Sequence, residues 1–182
     1  MYRACVLLLM SLLLATSGFA LGHSKRLKAI DRYCAEVQQV VSSTSPFVFA
    51  GPDPWVQLDE EPAEMPSEGL ALVYTAGPDI RWVFLRLVDS DEGWAEDINY
   101  YFRQDGTVVK RVRQVESPGA NVSLEVVTYY EGGRVLKENT HHHSLNRGHE
   151  DGSKFIDPDA PVFWTLEDLP FPEIPDLWRR LA

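Results

Sequence analysis

Between Leu70 and Leu145 the chain alternates strand-like runs with short turn signals, and this limits the fold more than any other feature. The runs are Leu70 to Thr75, Ile80 to Val88, Trp94 to Arg103, Thr107 to Val115, Asn121 to Tyr130 and Arg134 to Leu145. Between them stand Gly77-Pro78, the stretch from Asp89 to Gly93, Asp105-Gly106, Pro118-Gly119 and Gly132-Gly133. Asp-Gly and Gly-Gly between β-rich runs are hairpin signals, because these residues accept the positive φ that a tight turn needs. Parallel neighbours would need crossovers of about a dozen residues or more. These links are too short, so the pattern predicts a curved antiparallel meander of five or six strands.

Alternation within the runs predicts the faces. Trp94, Ile98, Tyr100 and Phe102 share one, and the same parity groups Val108 with Val112 and Val122 with Leu124 and Val126. Asp97, Arg103, Arg111, Arg113 and Glu125 fall on the other, which predicts one dry face and one charged face. Ile80 to Leu87 is apolar on both sides and is expected to be central or covered. Arg134 to Leu145 is polar on both sides, which marks an edge strand. A faint echo links Tyr100-Tyr101 followed by Gly106 with Tyr129-Tyr130 followed by Gly133.

Ser24 to about Val41 has a different period. Leu27, Ile30, Cys34, Val37 and Val41 are spaced three and four apart and form one stripe of an amphipathic helix. Ser24 is placed to cap its start. The run Ser42 to Pro46 ends it, since proline cannot continue a helix. The stripe is expected to cover the dry face of the sheet, with Cys34 pointing into the core. Residues 46–69 hold five prolines and an acidic stretch and read as a long loop, with Phe47, Phe49 and Trp55 tacking down its first half. Residues 155–182 are proline-rich and read as a strap laid across the domain, anchored by Phe163, Trp164, Phe171 and Ile174. The predicted class is α+β, in a single domain over 21–182.

The first twenty residues read as a cleavable signal peptide. Arg3 precedes an apolar run from Ala4 to Ala15, and small residues lead to a cut after Ala20. A dozen residues is too few to span a bilayer, which takes about 20. The expected address is the periplasm or the cell exterior. No later run is long and apolar enough to form a helical span of the mature chain. Removing residues 1–20 takes away Arg3 and no acid, leaving 16 Lys plus Arg against 27 Asp plus Glu, a formal charge of −11. That charge argues against nucleic acid and anionic lipid as partners. The remaining classes are a protein, a glycan or a small molecule. Cys34 is then the single cysteine, so no internal disulfide is available.

Three constellations are candidates for chemistry. His141 and His143 on a strand share a face about 7 Å apart, and His149 in the next loop can complete a zinc or copper set. The alternative is a solvated edge strand that contains histidines. Arg81, Arg86, Arg103, Arg111 and Arg113 lie in neighbouring runs. If they converge they suit a carboxylate or a polyanionic sugar; the alternative is cross-strand pairing with Asp97 and Glu125. Asp89 to Gly93 begins like a calcium loop, but glycine stands fifth and Tyr100 stands where the twelfth-position glutamate belongs, so it reads as a turn. There is no Gly-x-Ser-x-Gly elbow and no phosphate-binding loop. The sequence therefore favours a non-catalytic exported binding or structural module, with a metal-binding protein and an enzyme of unrecognised site as alternatives.

Overall fold

The computed structural model describes residues 24–51, 54–64, 66, 69–89, 93–117, 122–144 and 162–171. The predicted signal at 1–20, His149, and residues 155–161 and 172–182 of the segment read as a strap lie outside them. Helix α1 occupies residues 24–41. Eight strands follow: β1 Phe47–Ala50, β2 Val56–Leu58, β3 Gly69–Ala76, β4 Asp79–Asp89, β5 Trp94–Phe102, β6 Val108–Ser117, β7 Val122–Glu131 and β8 Arg134–Ser144. All pair antiparallel in one sheet of order β2-β1-β3-β4-β5-β6-β7-β8. The α+β meander is present, with eight strands rather than five or six. The two additional strands come from the segment read as loop. Phe47 and Phe49 lie opposite Val73 and Ala71, and Val56–Leu58 folds back on β1. Runs of four and three residues are too short to show a period against their proline-rich surroundings. Gly51 makes this corner possible, because a Cβ there would meet the Trp55 ring at 2.6 Å. β4 is interior and β8 is an edge, as their patterns predicted.

The expected cover is reversed. Both faces of the sheet are apolar near the β3–β4, β5–β6 and β7–β8 turns, and α1 does not lie on the Ile98, Tyr100 and Phe102 face. The helix stripe of Ile30, Cys34, Val37 and Val41 packs on Tyr101, Val109 and Tyr129. Leu27, Tyr74 and Trp82 border this cluster. The opposite face carries Ile80, Val83, Leu85, Ile98, Tyr100, Phe102, Val108 and Tyr130, and residues 162–171 of the strap close over it with Leu166, Leu169 and Phe171. Phe171 stacks on Phe49 at 4.7 Å between ring centroids and meets Trp55 edge-on at 5.2 Å. The strap is also tied to the backbone. Val108 N–H donates to the Trp164 carbonyl (3.0 Å), and Leu166 N–H donates to the Gly106 carbonyl (3.1 Å). Burying one such side chain is worth roughly 1.5–3 kcal/mol, so the strap and the helix each contribute substantially.

One residue decides the arginine faces. Phe102 lies opposite Val108, but Tyr101 lies opposite Lys110. Val109 is therefore the extra residue of a β-bulge, and every later side chain of β6 changes face. Arg111 and Arg113 end up beside Tyr100 and Ile98 on the strap face, while Val112 lies beside Asn99 on the helix face. Parity alone had placed Arg111 and Arg113 on the charged face and Val112 with Val108. Register shifts also fall at Tyr74/Thr75 and at Tyr129/Tyr130. The tyrosine echo thus has a structural meaning. Each pair precedes a turn and a bulge, and sends one ring under the helix (Tyr101, Tyr129) and one under the strap (Tyr100, Tyr130).

Candidate ligand groove

In a meander every second turn lies at the same end of the sheet. Here the β3–β4, β5–β6 and β7–β8 turns share one end, and α1 runs across the strands beside them. The crossing is fixed by polar contacts in chain order. Arg26 Nη1 donates to Glu131 Oε2 at 2.8 Å. The Asp31 carboxylate accepts from Lys110 Nζ (2.7 Å) and from the Tyr129 hydroxyl (3.0 Å). The Tyr33 hydroxyl donates to the Phe102 carbonyl at 2.5 Å, and Gln38 Nε2 donates to the Tyr101 hydroxyl at 2.7 Å. Past the last turn of the helix, the hydroxyls of Ser42 and Thr44 donate to the carbonyls of Gln39 and Val41, satisfying acceptors a helix end leaves open.

A cavity of about 570 Å³ opens between the helix and these turns. Its helix wall is Tyr33, Glu36, Val37 and Val40, and its sheet wall is Ala76, Arg81 and the turn residues Arg103, Gln104 and Asp105. A smaller hollow of about 180 Å³ continues towards Arg26, Val109 and Glu131 and shares Tyr33 and Arg103 with the first. Together they form a groove along one side of α1. The larger volume is within the usual range of small-molecule sites. Val40 is 55% exposed on its rim.

Most polar groups of the groove are already engaged. Arg81 Nη2 donates to Asp79 Oδ2 (2.8 Å) and Arg81 Nη1 donates to the Tyr33 hydroxyl (3.2 Å). Glu36 accepts from Arg32 Nε (2.8 Å). Asp105 accepts from the Thr107 hydroxyl (2.6 Å) and the Thr107 N–H (3.0 Å). Those two bonds to Thr107 hold the Asp105 carboxyl below its usual range. Arg103 is exposed, and among the described residues no carboxylate lies within ion-pair distance of it.

The five arginines singled out in the sequence do not converge. Arg81 and Arg103 reach the groove. Arg86 is paired across strands with Asp97 through Nε and Nη2, both at 2.6 Å. That hydrogen-bonded carboxylate raises the Arg86 pKa. Arg111 and Arg113 are buried on the other face, and Arg113 Nε donates to the buried carboxylate of Glu96. Around Arg111 lie the phenols of Tyr100 and Tyr130, both pushed up in pKa by burial against the opposing pull of Arg111. Tyr130 Oη and Arg111 Nε have no hydrogen-bond partner among the described residues.

The histidines stand on β8. His141 is exposed and lies opposite Glu125, and His143 lies opposite Ser123 two positions further along the same ladder. His142 falls on the other face, opposite Leu124. Among the described residues no three His, Cys, Asp or Glu side chains gather as a metal site. Cys34 sits under the helix at 4% exposure, and burial pushes its thiol up to about 12.

The sequence did not mark Tyr33 or Val40 as functional, and it marked Gln104 and Asp105 only as turn residues. One signal was available. Tyr33 and Val40 are large residues seven apart that flank the apolar stripe without belonging to it. No helix among the described residues is long and apolar enough to cross a membrane. No known family model, no curated protein and no solved structure matches the chain.

Proposed function

We propose that this chain is an exported, non-catalytic binding module of the periplasm or cell exterior, and that its ligand is a small molecule held in the groove beside α1. The observation that carries the reading is the groove itself. Across its two hollows its walls are a helix and three hairpin ends, most of its polar groups are held by neighbours, and it keeps an exposed valine and an exposed arginine on its surface. Such preorganised walls favour binding, because little ordering remains to be done when a ligand enters. The signal-like residues 1–20 support export. The test is a fragment screen read by amide NMR on residues 21–182. Fragments that shift Tyr33, Val37, Val40 and Gln104 together, and lose that effect when Val40→Trp fills the groove, support the reading. Hits that cluster elsewhere, or a reproducible hydrolase activity of the purified chain, overturn it.

A second reading is a zinc or copper site on the β8 ladder, favoured by the placement of Glu125 opposite His141. Native mass spectrometry of protein purified without a nickel column tests it. One metal per chain, lost in the His141→Ala/His143→Ala double variant, supports this reading. A bare chain at the calculated mass removes it.

A further inference from the structure

We infer that the groove recognises an organic acid with an aliphatic body, its carboxylate held by Arg103. This rests on the groove being the binding site. Three arginines and three acids border the two hollows, so the groove is formally neutral, and its selectivity depends on which charges are already satisfied. Arg26 is paired with Glu131, and Arg81 with Asp79. Glu36 is engaged by Arg32, and Asp105 accepts two bonds from Thr107. Tyr33 has its one donor committed to the Phe102 carbonyl and accepts from Arg81. Arg103 remains without an ion pair among the described residues, its charge offset only at longer range by Asp105, and it is exposed at the point the two hollows share.

A guanidinium presents a planar fork of donors that matches a carboxylate with two parallel bonds. Gln104, beside it on the same turn, adds an amide N–H. Besides its charged residues, the larger hollow offers an apolar strip made by Val37, the exposed Val40 and Ala76, bordered by Glu36 and Arg81, each of which has a partner of its own. Charge at one end and an aliphatic wall at the other select a ligand with the same polarity. A polyanionic sugar has no apolar part to cover Val40, and a second cation meets Arg81 and Arg103. The chain as a whole is acidic, with a net charge of −10, so long-range attraction does not supply the affinity. The short-range fork at Arg103 must do so.

Octanoate and octanamide share the aliphatic body and differ at the head group. Titrated into residues 21–182 and read by amide NMR, octanoate is expected to shift Tyr33, Val37, Val40 and Gln104, and octanamide to bind about tenfold more weakly or worse. Arg103→Gln is expected to remove that difference, whereas Arg103→Lys restores part of it. Equal binding of acid and amide, with the groove resonances still shifting, overturns the carboxylate assignment and leaves the groove as a binding site. An acid preference that survives in Arg103→Gln overturns the role of Arg103. Absence of any groove shift with either probe, alongside a failed fragment screen, overturns both.

Discussion

Glu96 and Arg113 form an ion pair on the strap face of the sheet, with side chains only 8% and 6% exposed. They sit diagonally across the β5–β6 ladder, where Glu96 lies opposite Val115 and Arg113 lies opposite Ile98. Removing one partner leaves an uncompensated buried charge, at a cost of about 3–5 kcal/mol. Arg113→Met alone is therefore expected to lower the urea midpoint sharply. The paired replacement Glu96→Leu/Arg113→Met is expected to recover most of the loss, because no lone charge remains. A double variant as unstable as the single one would show that the pair holds the fold rather than merely neutralising itself.

Phe171 and Trp164 anchor the strap unequally. Phe171 is 2% exposed and stacked on Phe49, whereas Trp164 is 36% exposed and meets Tyr130 edge-on. Phe171→Ala is expected to cost about 3–5 kcal/mol, and Trp164→Ala clearly less. Denaturant curves of the two variants, compared at unchanged slope, check the ranking.

The Tyr33 hydroxyl joins α1 to the end of β5 and to Arg81. Tyr33→Phe leaves the ring in place and removes the hydroxyl, so it is expected to cost about 1–2 kcal/mol. It also releases an Arg81 nitrogen into the groove. Thermal unfolding measures the first effect. A stronger response to octanoate in the same variant measures the second.

Cys34 gives the protein an alkaline limit. Burial raises its thiol from 9.0 to about 12, and burial likewise raises the Tyr101 phenol from 10.0 to about 12. Above pH 9 the unfolded thiol ionises while the folded one keeps its proton. The unfolded state then binds fewer protons, so stability falls as the pH rises from 9 towards 12. The melting temperature is expected to decline from about pH 9 in the parent. In Cys34→Ala the decline is expected to start nearer pH 10, where unfolded tyrosine ionises. The same burial predicts that a thiol reagent at pH 8 reacts only after denaturation. Stoichiometric labelling of the folded chain would contradict it.

Expression of all 182 residues in a secreting host is expected to yield a soluble chain that begins at Leu21. Intact-mass measurement distinguishes this from retention of the apolar run.

The helix, the six main strands and their antiparallel order were legible in the sequence, because each rests on local physics. A stripe at threes and fours makes a helix, and glycine-bearing turns close hairpins. Burial of Cys34 followed from its place in that stripe. The faces of β6 were not legible, since the bulge at Val109 has no compositional mark and a single inserted residue inverts all that follows. Nor could local pattern tell which layer covers which face. Tyr100 and Tyr101 offer an aromatic ring to each side, and only packing assigned the first to the strap and the second to the helix. The groove belongs to the tertiary structure for the same reason. Tyr33, Arg81 and Arg103 are far apart in the chain, and they meet because a meander returns every second turn to one end of the sheet, where α1 crosses it.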